Sequence, residues 1–171
     1  KKDYVFGTIV DIKIYGESKK LASEASKEIL SNFNKLHYKL HPWREGLVFE
    51  INEAIQNESP FFIEDEEVIS LILRGQEYEN QTNGYFNPAI GKLVRLWGFH
   101  SEVPRKAMPD ARSISKLVEA KPSMGNIKII NNILSSTNKF VQVDMGGYAK
   151  GYALDQAKNI LEQYNINNAL I

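Results

Sequence analysis

The residues of this chain best suited to chemistry lie between Val141 and Asp155, in the run Val-Gln-Val-Asp-Met-Gly-Gly-Tyr-Ala-Lys-Gly-Tyr-Ala-Leu-Asp. A β-branched run ends at Asp144, which offers an acceptor. Gly146 and Gly147 follow, and without a Cβ they let a phosphate or a metal ion approach the main chain closely. Lys150 adds a mobile positive charge. Beyond it Ala149, Ala153, Ala157, Ile160, Leu161 and Tyr164 fall on one stripe of an amphipathic helix. Strand, glycine turn and helix start together aim free N–H groups and a positive dipole end at an anion. The run therefore reads as a binding site for a phosphorylated ligand. It is neither G-x-G-x-x-G nor a P-loop, because Lys150 is followed by Gly151 and Tyr152 where a P-loop has Ser or Thr. Local chemistry alone is equally compatible with an ordinary strand-to-helix turn whose glycines merely avoid clashes.

Other candidates carry less. Trp43 and Tyr85 are the aromatics expected on loops, where a flat ligand ring can stack on them. The commoner fate of a lone tryptophan is to fold onto the core. His37 and His41 are four residues apart near a helix end, a spacing that can hold a metal. No Cys and no His-Glu motif supports them, so an ordinary surface pair is the preferred reading. The acids Glu64 to Glu67 read as a solvated helix start, and Trp97 with Phe99 as core.

The 171 residues are expected to form one domain, or one and a part, and 43% apolar content is ample for a core. Lys+Arg and Asp+Glu each total 21, which argues against a basic nucleic-acid surface. No stretch approaches the ~20 apolar residues of a membrane span. Cysteine is absent, so thiolate catalysis, thiolate metal sites and disulfides are excluded. The first residues Lys1-Lys2-Asp3 and the last, Asn168-Ala-Leu-Ile171, both look cut, the latter just as a strand begins.

Several elements must position these residues. Tyr4 to Tyr15 alternates like one half-buried strand closed by Gly16. Leu21, Ala25, Ile29, Phe33, Leu36 and Leu40 predict a long amphipathic helix that Pro42 ends. A loop from His41 to Gly46 leads into Phe49, Ile51 and Asn52, and Ser59-Pro60 is a break. Glu64 to Tyr78 reads as a helix with acids in its first turns. Asn87-Pro88 matches an N-cap and first helical position for a short helix through Ile90, Leu93, Val94 and Trp97, stopped by Gly98. A surface loop is expected from Ser101 to Ala111, then a short helix from Ser113 to Ala120. Ile127–Ile130 and Ile133–Ser136 flank Asn131-Asn132 as a hairpin, and Phe140 to Val143 continues an antiparallel meander to Asp144. The fold class is α+β, mainly antiparallel sheet with packed helices.

Four segments together resemble one family, the ApbE-type flavin transferases, or FAD:protein FMN transferases. Asp144 to Asp155 is similar to its D-x-G-G-x-A-K-G-x-A-x-D motif at every fixed position, and Gly84 to Phe99 to its G-x-F-D-P-x-x-G-P-L-V-x-x-W-G-F segment. Phe6-Gly7-Thr8 stands where the family usually has Met-Gly-Thr, and Trp43 to Asn52 keeps its aromatic-to-asparagine spacing. Departures are Asn87 for Asp, Lys92 for Pro, Phe6 for Met and Leu47 for Ser. The resemblance covers nearly the whole chain and implies an ApbE-like fold that is incomplete at its C-terminus.

The resemblance also implies roles. Phe6, Trp43, Tyr85, Phe86, Asn87, Asp144 and Lys150 match FAD-binding positions, with Trp43 stacking on the isoalloxazine. Gly147 matches a position whose carbonyl holds Mg²⁺. The implied reaction splits FAD and transfers FMN to a threonine hydroxyl of an acceptor flavoprotein, releasing AMP. An FAD pyrophosphatase and a non-catalytic flavin-binding module are the alternatives. In the family the remaining Mg²⁺ ligands and a base histidine lie beyond the equivalent of Ile171, so no catalytic residue is assigned within the chain. The 171 residues alone are expected to be inactive, with their last strand unpaired. Family members are often exported lipoproteins, which sets the expected location at a membrane.

Overall fold

A computed structural model describes residues 1–101 and 107–171. In chain order come β1 (Lys2–Val5), β2 (Thr8–Asp11), β3 (Lys13–Ile14), α1 (Lys19–Lys39), α2 (Leu47–Gln56), β4 (Phe61–Phe62) and α3 (Glu66–Gln81). They are followed by α4 (Gly91–Leu96), α5 (Ala111–Glu119), β5 (Ile127–Ile130), β6 (Ile133–Ser136), α6 (Ala149–Gln163) and β7 (Ala169–Leu170). Every named strand pairing is antiparallel, in sheets ordered β1-β2, β3-β7 and β4-β6-β5. The fold is α+β. The chain forms two compact units, residues 1–39 with 146–171 and residues 40–145.

In the first unit the expected single strand from Tyr4 to Tyr15 is instead a hairpin. Phe6 and Gly7 take φ of 56° and 71° and turn the chain, so that Val5 faces Thr8. Two positive φ values are what a two-residue turn between twisted strands needs, and only the second falls on a glycine. Alternation along the sequence is blind to such a turn, because the side-chain period continues on either side of it. The helix predicted from Leu21 onwards is α1, and α6 packs on it. Their buried residues include Ile29, Phe33 and Leu36 from α1 and Ala153, Ala157 and Ile160 from α6. Alanines on α6 allow close approach of the two helices. The Tyr164 hydroxyl donates to Glu28 Oε2 at 2.8 Å, tying the end of α6 to α1. The terminal strand β7 is not left alone, as the sequence suggested: it pairs with β3, Lys13 facing Leu170.

In the second unit, Asp65 caps α3 by accepting from the Val68 amide at 3.1 Å. Asp110 does the same for α5 through the Ser113 amide at 2.9 Å. The Asn131-Asn132 turn, with φ of 50° and 63°, closes the β5–β6 hairpin as expected. Three expectations change. The segment after Gly46 is the helix α2, burying Val48, Ile51 and Ile55. Phe61–Phe62 adds β4 to the hairpin's free edge. Phe140 to Val143 is no third strand of a meander, because its partners lie elsewhere, as the site shows. Of the loop expected from Ser101 to Ala111, residues 102–106 lie outside the described residues. Among the described residues no helix is long and apolar enough to cross a membrane.

Candidate functional site

Asp144 is delivered by a short extended segment gripped from two sides. Along one edge it runs parallel to residues 88–91, with Ile90 paired to Gln142. The Gln142 amide donates to Ala89 O at 3.0 Å, the Asp144 amide to Pro88 O at 2.8 Å, and the Gly91 amide to Gln142 O at 2.9 Å. A Cβ on Gly91 would stand 2.7 Å from Gln142 O, a backbone atom, so only glycine permits this approach. Along the other edge no strand pairs among the described residues. The side-chain amide of Asn52 takes its place: Oδ1 accepts from the Val143 N–H at 2.7 Å, and Nδ2 donates to Val143 O at 3.0 Å. Asn52 is 4% exposed and comes from the apolar face of α2. One planar amide, with its acceptor and donor side by side, thus satisfies both polar groups of Val143, as a neighbouring strand would.

Asn87 is committed to the same framework. Its Oδ1 accepts from the Ala89 amide at 2.8 Å and its Nδ2 donates to Pro122 O at 2.8 Å. It therefore shapes the turn before residues 88–91 and does not cap α4, which starts only at Gly91. Ile90 is instead drawn into pairing with Gln142, and the helix begins only after it. Phe86 donates its amide to Thr82 Oγ1 at 3.0 Å and sets its ring edge-on to Tyr78. Tyr85 is 97% exposed. Trp43 lies between two imidazoles, its ring centroid 6.0 Å from that of His41 and 5.9 Å from that of His100. The Trp43 Nε1 is buried and has no hydrogen-bond partner among the described residues. His41 Nδ1 accepts from the amides of Trp43 and Arg44, at 3.2 and 3.1 Å, which fixes the start of the Trp43 loop. This use of Nδ1 removes one of its metal-binding atoms.

The Asp144 motif passes from residues 40–145 into the other unit at Gly146. There α6 starts at Ala149, with Tyr148 in the capping position and no side-chain cap bond. Lys150 is exposed in the first turn. In the same unit a cavity of about 190 Å³ brings Lys150 together with Phe6, between Thr8, Val10, Phe33 and Ala153. Phe6 is held there by its turn and by ring contacts to Phe33 at 6.0 Å and His37 at 5.7 Å. Among the described residues no group of three or more His, Cys, Asp or Glu gathers in a way that could hold a metal ion. The Gly147 carbonyl by itself is a poor fit to Mg²⁺, which demands near-octahedral oxygen ligands. Toward a flavin dinucleotide each unit offers features of its own: exposed Tyr85 and an orphaned indole N–H in residues 40–145, and a helix start with an exposed lysine in the other.

The sequence model of the ApbE family matches residues 6–171. The chain belongs to the ApbE family. It is 32% identical over 168 residues to an FAD:protein FMN transferase of Rhodobacter capsulatus, covering 98% of the chain and 32% of that relative. It is 23% identical over 184 residues to the FAD:protein FMN transferase of Treponema pallidum, covering 48% of that protein. The ApbE protein of Thermotoga maritima superposes with a TM-score of 0.83 at 28% identity, over 99% of the chain and 53% of that structure. The flavin transferase ApbE of Vibrio cholerae, at 21% identity and a TM-score of 0.82, shares the fold over 99% of the chain and 54% of its own. The chain thus spans about a third to a half of the length of these ApbE relatives.

The residues missed from sequence are the ones that hold the segment before Asp144: Asn52, Gly91 and Gln142. A signal existed for one of them. Val48, Ile51 and Ile55 place Asn52 on an apolar helical stripe, where a polar residue needs a buried partner.

Proposed function

We propose that the protein is a flavin transferase that cleaves FAD and transfers FMN to a threonine hydroxyl of an acceptor flavoprotein. Its membership of the ApbE family over residues 6–171, together with the 32% identity to an FAD:protein FMN transferase, carries this reading. The threonine oxygen attacks the phosphorus on the FMN side of the pyrophosphate. A new P–O bond forms, the P–O bond to the other phosphate breaks, AMP leaves, and the hydroxyl proton passes to a base. Phosphoryl transfer of this kind depends on positioning and on neutralising charge more than on covalent help from the protein. The chain's own residues serve those ends. Trp43 and Tyr85 offer ring faces to the flavin, Asp144 accepts hydrogen bonds, and Lys150 at the start of α6 meets phosphate charge. Mg²⁺ would offset charge on the pyrophosphate, and the Gly147 carbonyl would be one of its ligands. An exported, membrane-anchored location belongs to the same proposal and rests on the family resemblance.

The test is to incubate the full-length protein with FAD, Mg²⁺ and an acceptor flavoprotein subunit, then to run the acceptor on a denaturing gel. Covalent flavin fluorescence on the acceptor, matched by AMP release, is the expected result. AMP release with a dark acceptor would make the protein a pyrophosphatase. Bound FAD that stays intact would make it a carrier.

A further inference from the structure

Residues 40–145 contain a cleft whose lining includes none of the residues matched to FAD-binding positions. It has a volume of about 470 Å³ and lies between α2 and α4. One face of α2 lines it with Phe49, Asn52, Glu53 and Gln56, at spacings of three and four. From α4 come Lys92 and Arg95, one turn apart, and α5 adds Leu117.

Two features make this more than a gap between helices. Gln142 lines the cleft, yet it is only 9% exposed. Its Nε2 donates to Pro42 O at 3.4 Å, whereas no donor among the described residues reaches its Oε1. Gln142 thus lines the cleft with an acceptor that no donor among the described residues satisfies. The second feature is charge. Lys92 Nζ donates to Lys139 O at 2.7 Å and lies 5.6 Å from the Phe140 ring centroid. Burial there pushes its pKa below the ordinary lysine range, against the opposing pull of Glu53. Arg95 makes no ion pair among the described residues. Two cations therefore line a cavity whose other walls mix apolar Phe49, Leu96 and Leu117 with polar Glu53, Gln56 and His100, an arrangement suited to an anion with a flat, partly polar body. Lys92 also stands where the family usually has proline, so this chain carries a charge that the pattern does not require.

We propose that this cleft binds an organic anion, a phosphate or a carboxylate, whose flat body carries an N–H donor. The anionic group pairs with Lys92 and Arg95. The body lies against Phe49 and Leu117, and the N–H donates to Gln142 Oε1. The site is built from residues 40–145 alone and does not depend on the flavin-transfer reading.

Two probes share this chemistry and differ in the anion: AMP and N-acetyltryptophan. Each is titrated calorimetrically into the protein, with and without excess FAD, and then into Arg95→Gln and Gln142→Met variants whose circular dichroism matches the wild type. The expected result is saturable binding of at least one probe with a Kd of about 1 mM or tighter. Excess FAD leaves that binding in place, and either variant weakens it about tenfold. Binding of AMP alone assigns a phosphate ester, and binding of N-acetyltryptophan alone a carboxylate. Failure of both probes to bind, retention of affinity in Arg95→Gln, or displacement by FAD overturns the proposal. A protein that binds neither FAD form nor acceptor yet binds a probe here strikes the flavin reading and leaves the cleft standing.

Discussion

Asn52 shows how one side chain can stand in for a strand. With its amide removed, the N–H and C=O of Val143 are left buried and unpaired, each at about 1–3 kcal/mol. Asn52→Ala is therefore expected to lower stability by at least about 2 kcal/mol, read from the midpoint of denaturant unfolding. A shift under half of that would mean that water or a local rearrangement replaces the amide. Lys150 is judged by ligand affinity, because it is exposed and its loss leaves the packing intact. Lys150→Ala should weaken FAD binding by about tenfold or more, as loss of a charge-assisted contact to phosphate does. An unchanged dissociation constant removes it from the site. Trp43→Ala should abolish quenching of flavin fluorescence on binding; persistent quenching moves the stacking partner, with Tyr85 next in line.

Among the elements, the helices α1, α3 and α6 were the most legible features. The acids before α3 and α5 cap them through Asp65 and Asp110, because a carboxylate that meets free N–H groups needs only local sequence to act. Hydrogen bonds from Ser113, its side chain first and its backbone next, hold the Asp110 carboxyl below the ordinary aspartate range. A depressed pKa contributes stability above the unfolded value, and that contribution is lost as pH falls through the folded value. The protection factor of the Ser113 amide in hydrogen exchange is thus expected to fall on acidification below the ordinary aspartate range, and to be low at all pH values in Asp110→Ala. A pH-independent protection factor in the wild type would separate the cap from the carboxylate's charge. The element boundaries that failed, at the Phe6-Gly7 turn and at the start of α4, are places where a pairing partner overrides local preference.

For the molecule as a whole, chemistry is divided along the sequence. Asp144, Trp43 and Tyr85 belong to residues 40–145, while Phe6, Gly147 and Lys150 belong to the unit formed by the two ends. A cation that needs several hard oxygen ligands finds one candidate carbonyl among the motif residues. The 171 residues by themselves, given FAD and Mg²⁺, are accordingly expected to release no AMP over hours by chromatography. Steady release from this chain alone would show that its own groups complete the reaction centre.

The sequence by itself determined the family, the α+β class, the long helices and the motif from Asp144 to Asp155. Those features depend on composition, on helical period and on fixed residues at short spacing, all of which act locally. Only the tertiary structure decided what holds Asp144 in place. Its segment is paired to residues 88–91 on one edge and to the Asn52 amide on the other, a partner 91 positions away. Periodicity states which face of a segment is buried, but a backbone hydrogen bond is non-directional in sequence: any chain brought alongside can supply it, and here a side chain did.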